Sequence, residues 1–367
     1  MNDSVLHLYA YPTGASCRSV EALQDHPYAD LADEMNRLLY RSRADEFFAL
    51  YANGTTIVTD QVCDRVPEQA LDYVAGRPGT RLVIAGRFGK KRLAELRRSA
   101  LARGIATTIH CSPEPRLFRA QGSDCPEAFV PAAGFVSDDE AFASCLAPGF
   151  GVRGAQHWTT LWNSDVAAPS LARGMRKRDA FFALARELAR GTAAPVNWSR
   201  IGRDEKISGR TAADWVRLLE ELAVVDVVEA LDLKPARRTL ERCKIYWRHP
   251  GFGLWLTGRM SSADTALRAA IFENAVYLAL SDLYPEANIR HFVDTNRVTC
   301  PLIVDRGGLL QAYYVCVEAA QRQLALRHHK SLVKTGKFDP AARLILYRGM
   351  SVPAEVSYVD PSTPAAT

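Results

Sequence analysis

Apolar positions along the chain change their period several times, and each change marks an element. Short apolar runs at Val5–Tyr11, Thr55–Asp60, Arg81–Ala85 and Ile105–Ile109 have the length of buried strands. Helical stretches lie between them at Leu31–Tyr51, Pro67–Ala75 and Lys90–Arg103. Alternation of strand and helix at these lengths predicts a parallel α/β domain. Periodicity then fades. Cys111–Thr160 is rich in Pro, Gly, Ser and Ala and reads as loops with short elements, although Trp158 and Trp162 call for some packing.

The helical period returns at Arg173–Arg190, with Phe181, Leu184, Ala185 and Leu188 on one face. Asn197–Arg203 fits a short helix and Lys206–Arg210 a turn. Thr211 with Asp214 three residues on reads as a capping box, opening a helix whose apolar face is Trp215, Leu218, Leu219 and Leu222. Two strand-like segments, Val224–Leu231 and Ile245–Trp247, flank the charged, Pro-broken stretch Lys234–Arg242. Helix, turn, capped helix and ribbon is the order of a winged helix-turn-helix; the plainer alternative is a small helical packing module. Beyond Gly258 the pattern predicts a helix at Leu267–Leu283 and strands at Ile289–Val293, Leu302–Val304 and Ala312–Val317. Gly307-Gly308 is the hairpin turn between the last two. A helix at Ala319–Lys330 and a strand at Arg343–Tyr347 follow. This order is the core shape of restriction-type nucleases. The expected domains are therefore 1–165, an α/β domain; 166–258, helical linker and winged helix; 259–350, a nuclease-like α/β domain; and 351–367, a flexible tail.

Composition narrows the class without naming a function. With 48% hydrophobic and 24% charged residues the chain is a globular protein. A net charge of +5 is compatible with nucleic acid but too small to establish it. The eight cysteines include no CxxC pair and no zinc-like spacing with histidine, so free thiols, a reducing cytoplasm and no metal are expected. No apolar run has the length of a bilayer span, and no membrane partner is expected.

Candidate chemistry is thin at both ends. Gly14–Ser19 (GASCRS) follows the first strand, where a phosphate loop would sit. It has one glycine, Arg18 near the lysine slot, and no GK[ST], so no nucleotide cofactor is expected. Asp60 ends a strand where an α/β sheet can place a magnesium ligand, but its neighbour is Gln61, and a strand-end cap is the simpler role. In the C-terminal part Glu273, Asp305 and Glu318 are the available carboxylates, and Tyr313–Val317 supplies no lysine. For nucleic acid the candidates are Arg200, Arg203, Lys206, Arg210 and Arg217, with Lys90, Lys91 and Arg92 from the basic helix. Against them stand Asp204, Glu205, Glu220 and Glu221, and a charged helix face is most often just a solvated one.

Short motifs in a consistent order give the chain a resemblance to a prokaryotic P-loop ATPase family. Its members join an AAA-like domain, a winged helix and a C-terminal DUF4143 domain related to restriction endonucleases. The segments are NWSRIG at Asn197–Gly202, LLEELAVVDVV at Leu218–Val228, CKIYWRHPGFGLWLTG at Cys243–Gly258 and IFENAV at Ile271–Val276. DQVCDRVPE at Asp60–Glu68 is similar to the family's Walker-B stretch, and VIAGRF to the strand after it. The departures follow one direction. The phosphate-loop lysine is absent, and Gln61 stands at the Walker-B glutamate. The nuclease acidic pair becomes Thr299 and Pro301, and the nuclease lysine becomes Glu318. Only Glu273 keeps its type, leaving Arg18, Asp60, Gln61, Glu273 and Glu318 as vestiges. The resemblance thus implies a non-catalytic nucleic-acid-binding or assembly subunit with other protein subunits as partners, in a defence or mobile-element system. The alternatives are a divergent Mg²⁺-dependent ATPase or nuclease, and an effector that binds protein alone.

Overall fold

Leu6 and Leu8 are fully buried on β1 (Val5–Ala10), and the strand lies inside a five-stranded sheet of order β2-β3-β4-β1-β5. The computed structural model describes residues 5–10, 27–31, 33–59, 66–86, 88, 90–111, 118–121, 127–131, 152–172, 175–233, 242–258, 265–284, 287–349 and 354–360. Every pairing in this first sheet is parallel. Its other strands are β2 (Tyr28–Asp30), β3 (Thr56–Val58), β4 (Arg81–Gly86) and β5 (Ala106–Cys111). Helices α1 (Glu34–Ser42), α2 (Ala44–Tyr51), α3 (Val66–Ala75) and α4 (Lys90–Ala102) connect them. The single helical region expected over Leu31–Tyr51 is two helices. Asp33 caps the first by accepting from the Met35 and Asn36 N–H groups, and Arg43 (φ −150, ψ 67) breaks the chain before the second. Phe47, Phe48, Ile57, Leu71, Leu82 and Ile84 fill the core of this domain.

The stretch Cys111–Thr160, expected to be mostly loop, contributes β6 (Phe118–Gln121), β7 (Ala128–Pro131) and α5 (Val152–Leu161). A π-helical segment Trp162–Ala167 leads into α6 (Ala168–Ala172). Then come α7 (Arg178–Arg190), α8 (Trp198–Asp204), α9 (Gly209–Glu221), β8 (Val225–Val228) and β9 (Lys244–Trp247), the last two forming a two-stranded sheet. The cap of α9 lies upstream of the expected Thr211. The Ser208 Oγ accepts from the Thr211 N–H (3.0 Å), so the helix opens at Gly209 and Thr211 stands in its first turn. Asp214 faces solvent and pairs with Arg217 (3.3 Å) instead of closing a capping box. Gly202 is required where α8 turns toward α9, because a Cβ there would lie 2.8 Å from the Ile207 carbonyl oxygen. Ser208→Ala is expected to cost about 1 kcal/mol, and Thr211→Val clearly less; urea unfolding of both variants measures the difference.

The last third holds α10 (Pro250–Thr257), α11 (Thr265–Leu283), β10 (Ile289–Val293), β11 (Thr299–Arg306), β12 (Leu309–Cys316), α12 (Ala319–Val333), β13 (Ala342–Leu346) and β14 (Ala354–Val359). Strands β10, β11 and β12 are antiparallel neighbours, β12 and β13 run parallel, and β13 and β14 antiparallel. The Gly307-Gly308 turn has the two positive φ angles (65° and 99°) that a tight hairpin demands. Beyond β14, the strands β7 and β6 complete a seven-stranded sheet. The flexible tail expected from residue 351 is therefore not met over Ala354–Val359, which pairs with β13 and β7 and in which Ala354 is fully buried. Helix α11 is apolar nearly all round, as a helix covered on several sides must be.

The chain divides into two compact units of interleaved segments, not into consecutive blocks. One comprises Met1–Glu114, Thr159–Arg178 and Asp214–Asp226; the other Pro115–Trp158, Asp179–Ala213 and Val227–Thr367. The boundaries expected at 165, 258 and 350 do not coincide with this division, because β7 pairs with β14 more than 200 residues later and β6 pairs with β7.

Candidate functional site

Glu273 lies midway along α11, beside the short side chains of Ala269 and Ala270. Lys244 and Tyr246 reach it from β9. They are two residues apart and so share one strand face. The Lys244 ammonium and the Tyr246 hydroxyl both donate to Glu273 Oε1, each at 2.8 Å. The ion pair is largely withdrawn from water, with side-chain exposures of 9% and 16%. The Tyr246 ring stacks on Tyr277 at 4.3 Å between centroids. Burial, reinforced by the Glu273 charge, pushes the Tyr246 hydroxyl far up from its ordinary pKa, so it stays a donor. One turn of α11 is also fixed to the same strand by Asn274. Its Oδ1 accepts from the Trp247 N–H (2.7 Å) and its Nδ2 donates to the Trp247 carbonyl (2.9 Å).

Next to this cluster is His291 on β10. Its Nε2 is 2.6 Å from the Arg242 carbonyl oxygen. Burial first, and the Lys244 charge second, lower its pKa to about 4. The neutral ring therefore carries its proton on Nε2 and donates it. The folded value lies below the unfolded one, so the stabilising effect of this neutral ring is complete above about pH 6.5 and is lost as pH falls toward 4. Urea unfolding between those limits is expected to show stability rising with pH, and His291→Gln to flatten the profile; equal slopes in the two proteins would contradict this assignment.

Glu273 faces a cleft of about 340 Å³. Its walls are Thr299 and Pro301 of β11, Tyr314–Cys316 of β12 with the following Val317, and Gln321, Leu324, Ala325 and His328 of α12. Thus Glu273, Thr299 and Pro301 come together in space. Among the described lining residues Glu273 is the one carboxylate. Glu318 does not join it. Its side chain caps α12, while Gln321 Oε1 accepts from the N–H groups of Val317 (2.6 Å) and Glu318 (3.3 Å). Asp305 accepts from the Gly308 N–H (3.1 Å) in the hairpin turn. Lys244, Tyr246, Asn274 and His291 are the partners that sequence reasoning missed. A lysine at alternate spacing with tyrosine inside the apolar run CKIYW was the available signal.

The basic candidates fall into distinct groups. Arg200 and Arg203 are exposed on α8, Lys206 in the turn, and Arg210 in the first turn of α9. Among the described residues no carboxylate forms an ion pair with these four. Arg217 is exposed and pairs with Asp214. Arg92 on α4 pairs with Glu68 and with Glu95 (3.6 Å), so its charge is already answered. Lys90 and Lys91 belong to α4, but their side chains lie outside the described residues, as do Arg18, Asp60 and Gln61 altogether. The carboxyl ends of β1 and β3 lead directly into those undescribed stretches.

No family model matches the chain, and no curated protein matches it. The family resemblance therefore rests on its short motifs. Among solved structures, the Aeropyrum pernix ORC1 protein in complex with DNA aligns over 70% of this chain and 86% of its own, at 12% identity and a TM-score of 0.24. A likeness at that level carries no conclusion about fold or function.

Proposed function

We propose that the chain is a non-catalytic nucleic-acid-binding subunit of a multiprotein assembly, made of a degenerate P-loop-like domain, a winged helix and a degenerate restriction-endonuclease-like domain. The observation that carries the non-catalytic part is the commitment of Glu273 to Lys244 and Tyr246. Magnesium-assisted cleavage of a phosphodiester needs clustered carboxylates around the ion and a base for the attacking water. Among its described lining residues the cleft offers one carboxylate, with an internal ammonium on the oxygen that faces β9. The order α11-β10-β11-β12-α12-β13, with β12 and β13 parallel, supports the endonuclease-like reading of this domain. Helices α8 and α9 followed by the β8–β9 pair support the winged helix, and the parallel sheet with Gly14–Ser19 after β1 supports the P-loop-like domain.

Nucleic acid is the favoured ligand because Arg200, Arg203, Lys206 and Arg210 present exposed cations on consecutive elements, without ion-pair partners among the described residues. Phosphate contacts of this kind make binding steeply salt-dependent. Fluorescence anisotropy with labelled duplex and single strands at rising salt tests the reading. The wild-type protein is expected to bind at low salt and weaken steeply. The triple variant Arg203→Ala, Lys206→Ala, Arg210→Ala is expected to lower the slope of log K against log salt by about three for a duplex. Absence of binding at low salt, or a slope indifferent to the triple variant, would favour a protein-only effector. The defence or mobile-element setting and the further protein subunits come from the family resembled, and the cytoplasm from the cysteine pattern; all belong to the same reading.

A further inference from the structure

The α7–α8 connection is laced to the entry of β9. Ala193 N–H donates to the Ile245 carbonyl (3.2 Å), Val196 N–H to the Cys243 carbonyl (2.8 Å), and Pro195 forms a bridge with Lys244. Arg242 is thereby brought alongside the start of α8. Its own carbonyl is held by His291 Nε2 at 2.6 Å, so its backbone is fixed while its side chain is exposed. Arg242 and Arg200 line one cleft of about 320 Å³ together with Asn197 and the apolar Leu188 and Ile201. Asn197 Oδ1 is occupied by the Arg200 N–H (3.1 Å), which leaves its Nδ2 to donate. Among the described lining residues the one carboxylate, Glu187, is ion-paired with Arg190. Two arginines and an amide donor therefore line one open cleft, and its described carboxylate is already paired.

We propose that Arg242 and Arg200 form a two-guanidinium clamp for one phosphodiester of a bound nucleic-acid strand, extending the binding surface from α8 and α9 onto the entry of β9. Planar guanidinium forks match the paired oxygens of a phosphate, to which each can donate two parallel hydrogen bonds. The strand, not a free nucleotide, is the ligand, because the clamp continues the exposed cations Arg203, Lys206 and Arg210. The inference rests on the nucleic-acid reading above.

The test is an anisotropy salt series on the full chain with Arg242→Gln, Arg200→Gln, the pair together, and Arg203→Ala with Arg210→Ala as a surface control. Glutamine keeps most of the aliphatic stem, and a thermal melt checks that the exposed position is neutral for folding. Arg242→Gln is expected to weaken binding roughly tenfold and to lower the salt slope by about one. The double variant is expected to lose little more than either single, since both groups hold the same phosphate. Adenosine monophosphate and pyrophosphate are expected not to displace the strand at millimolar levels. Wild-type binding by Arg242→Gln while the surface control weakens overturns the clamp and leaves the surface reading intact. Strictly additive losses, or displacement by the small phosphates that depends on Arg242, also overturn it. If no protein binds any strand, the surface reading falls and the clamp with it.

Discussion

Replacing Lys244 by alanine is expected to cost about 3–5 kcal/mol of stability, because it leaves the Glu273 carboxylate buried without its cation. Lys244 and Glu273 are 9% and 16% exposed, so water replaces little of the lost interaction. Tyr246 alone would remain on Oε1, at 2.8 Å. The pair is not itself a large source of stability, since desolvating both charges offsets most of their attraction. The double variant Lys244→Met, Glu273→Met should therefore recover most of what the single variant loses. Urea unfolding of wild type, both singles and the double closes the cycle. A Lys244→Ala loss under about 1 kcal/mol, the range of an exposed pair, would mean that the carboxylate has other company.

Asn274→Ala is the second large effect expected. The side chain is fully buried and satisfies both the N–H and the carbonyl of Trp247, at 2.7 and 2.9 Å. Each buried group left without a partner costs about 1–3 kcal/mol, so a loss of about 2–6 kcal/mol is expected. The same strand has no room to move. Trp247 is fully buried, and its ring lies where a Cβ on Gly253 would be 2.6 Å away. Asn274→Asp should be nearly as harmful, because it removes the donor to the Trp247 carbonyl and adds a buried charge. Both variants are read by denaturant unfolding, and a loss for Asn274→Ala near zero would show that the strand finds another tie.

These two side chains also show where the sequence was readable. The apolar periodicity of Ile271–Leu280 located α11, and β10 spans Ile289–Val293 as the pattern alone predicted. Turn chemistry located Gly307-Gly308. These are local signals. Glu273 was legible as a carboxylate amid an apolar face, but its partners were not, since Lys244 is 29 residues away in sequence and its neighbours looked like a plain apolar strand. The same limit hid β14. Its alternation, with Ala354 and Val356 buried, is short and flanked by prolines, and its pairing with β7 spans most of the chain. For α9 two residues three apart, Ser208 and Thr211, both suit a cap, and only the bond from the Thr211 N–H decides between them. Glu318 illustrates the opposite error. Aligned to a catalytic position, it proves to be a helix cap, a role that acidic residues before a helix often take.

On the proposed reading the Glu273 cluster keeps the outline of a nuclease cleft without its chemistry. One measurement addresses it most directly: end-labelled duplex incubated with wild-type protein and Mg²⁺ or Mn²⁺, with each sample run on a native and a denaturing gel. A shifted band is expected on the first gel and intact strands on the second, the same for wild type and Glu273→Gln. Metal-dependent cleavage by the wild-type protein that disappears in Glu273→Gln would contradict it.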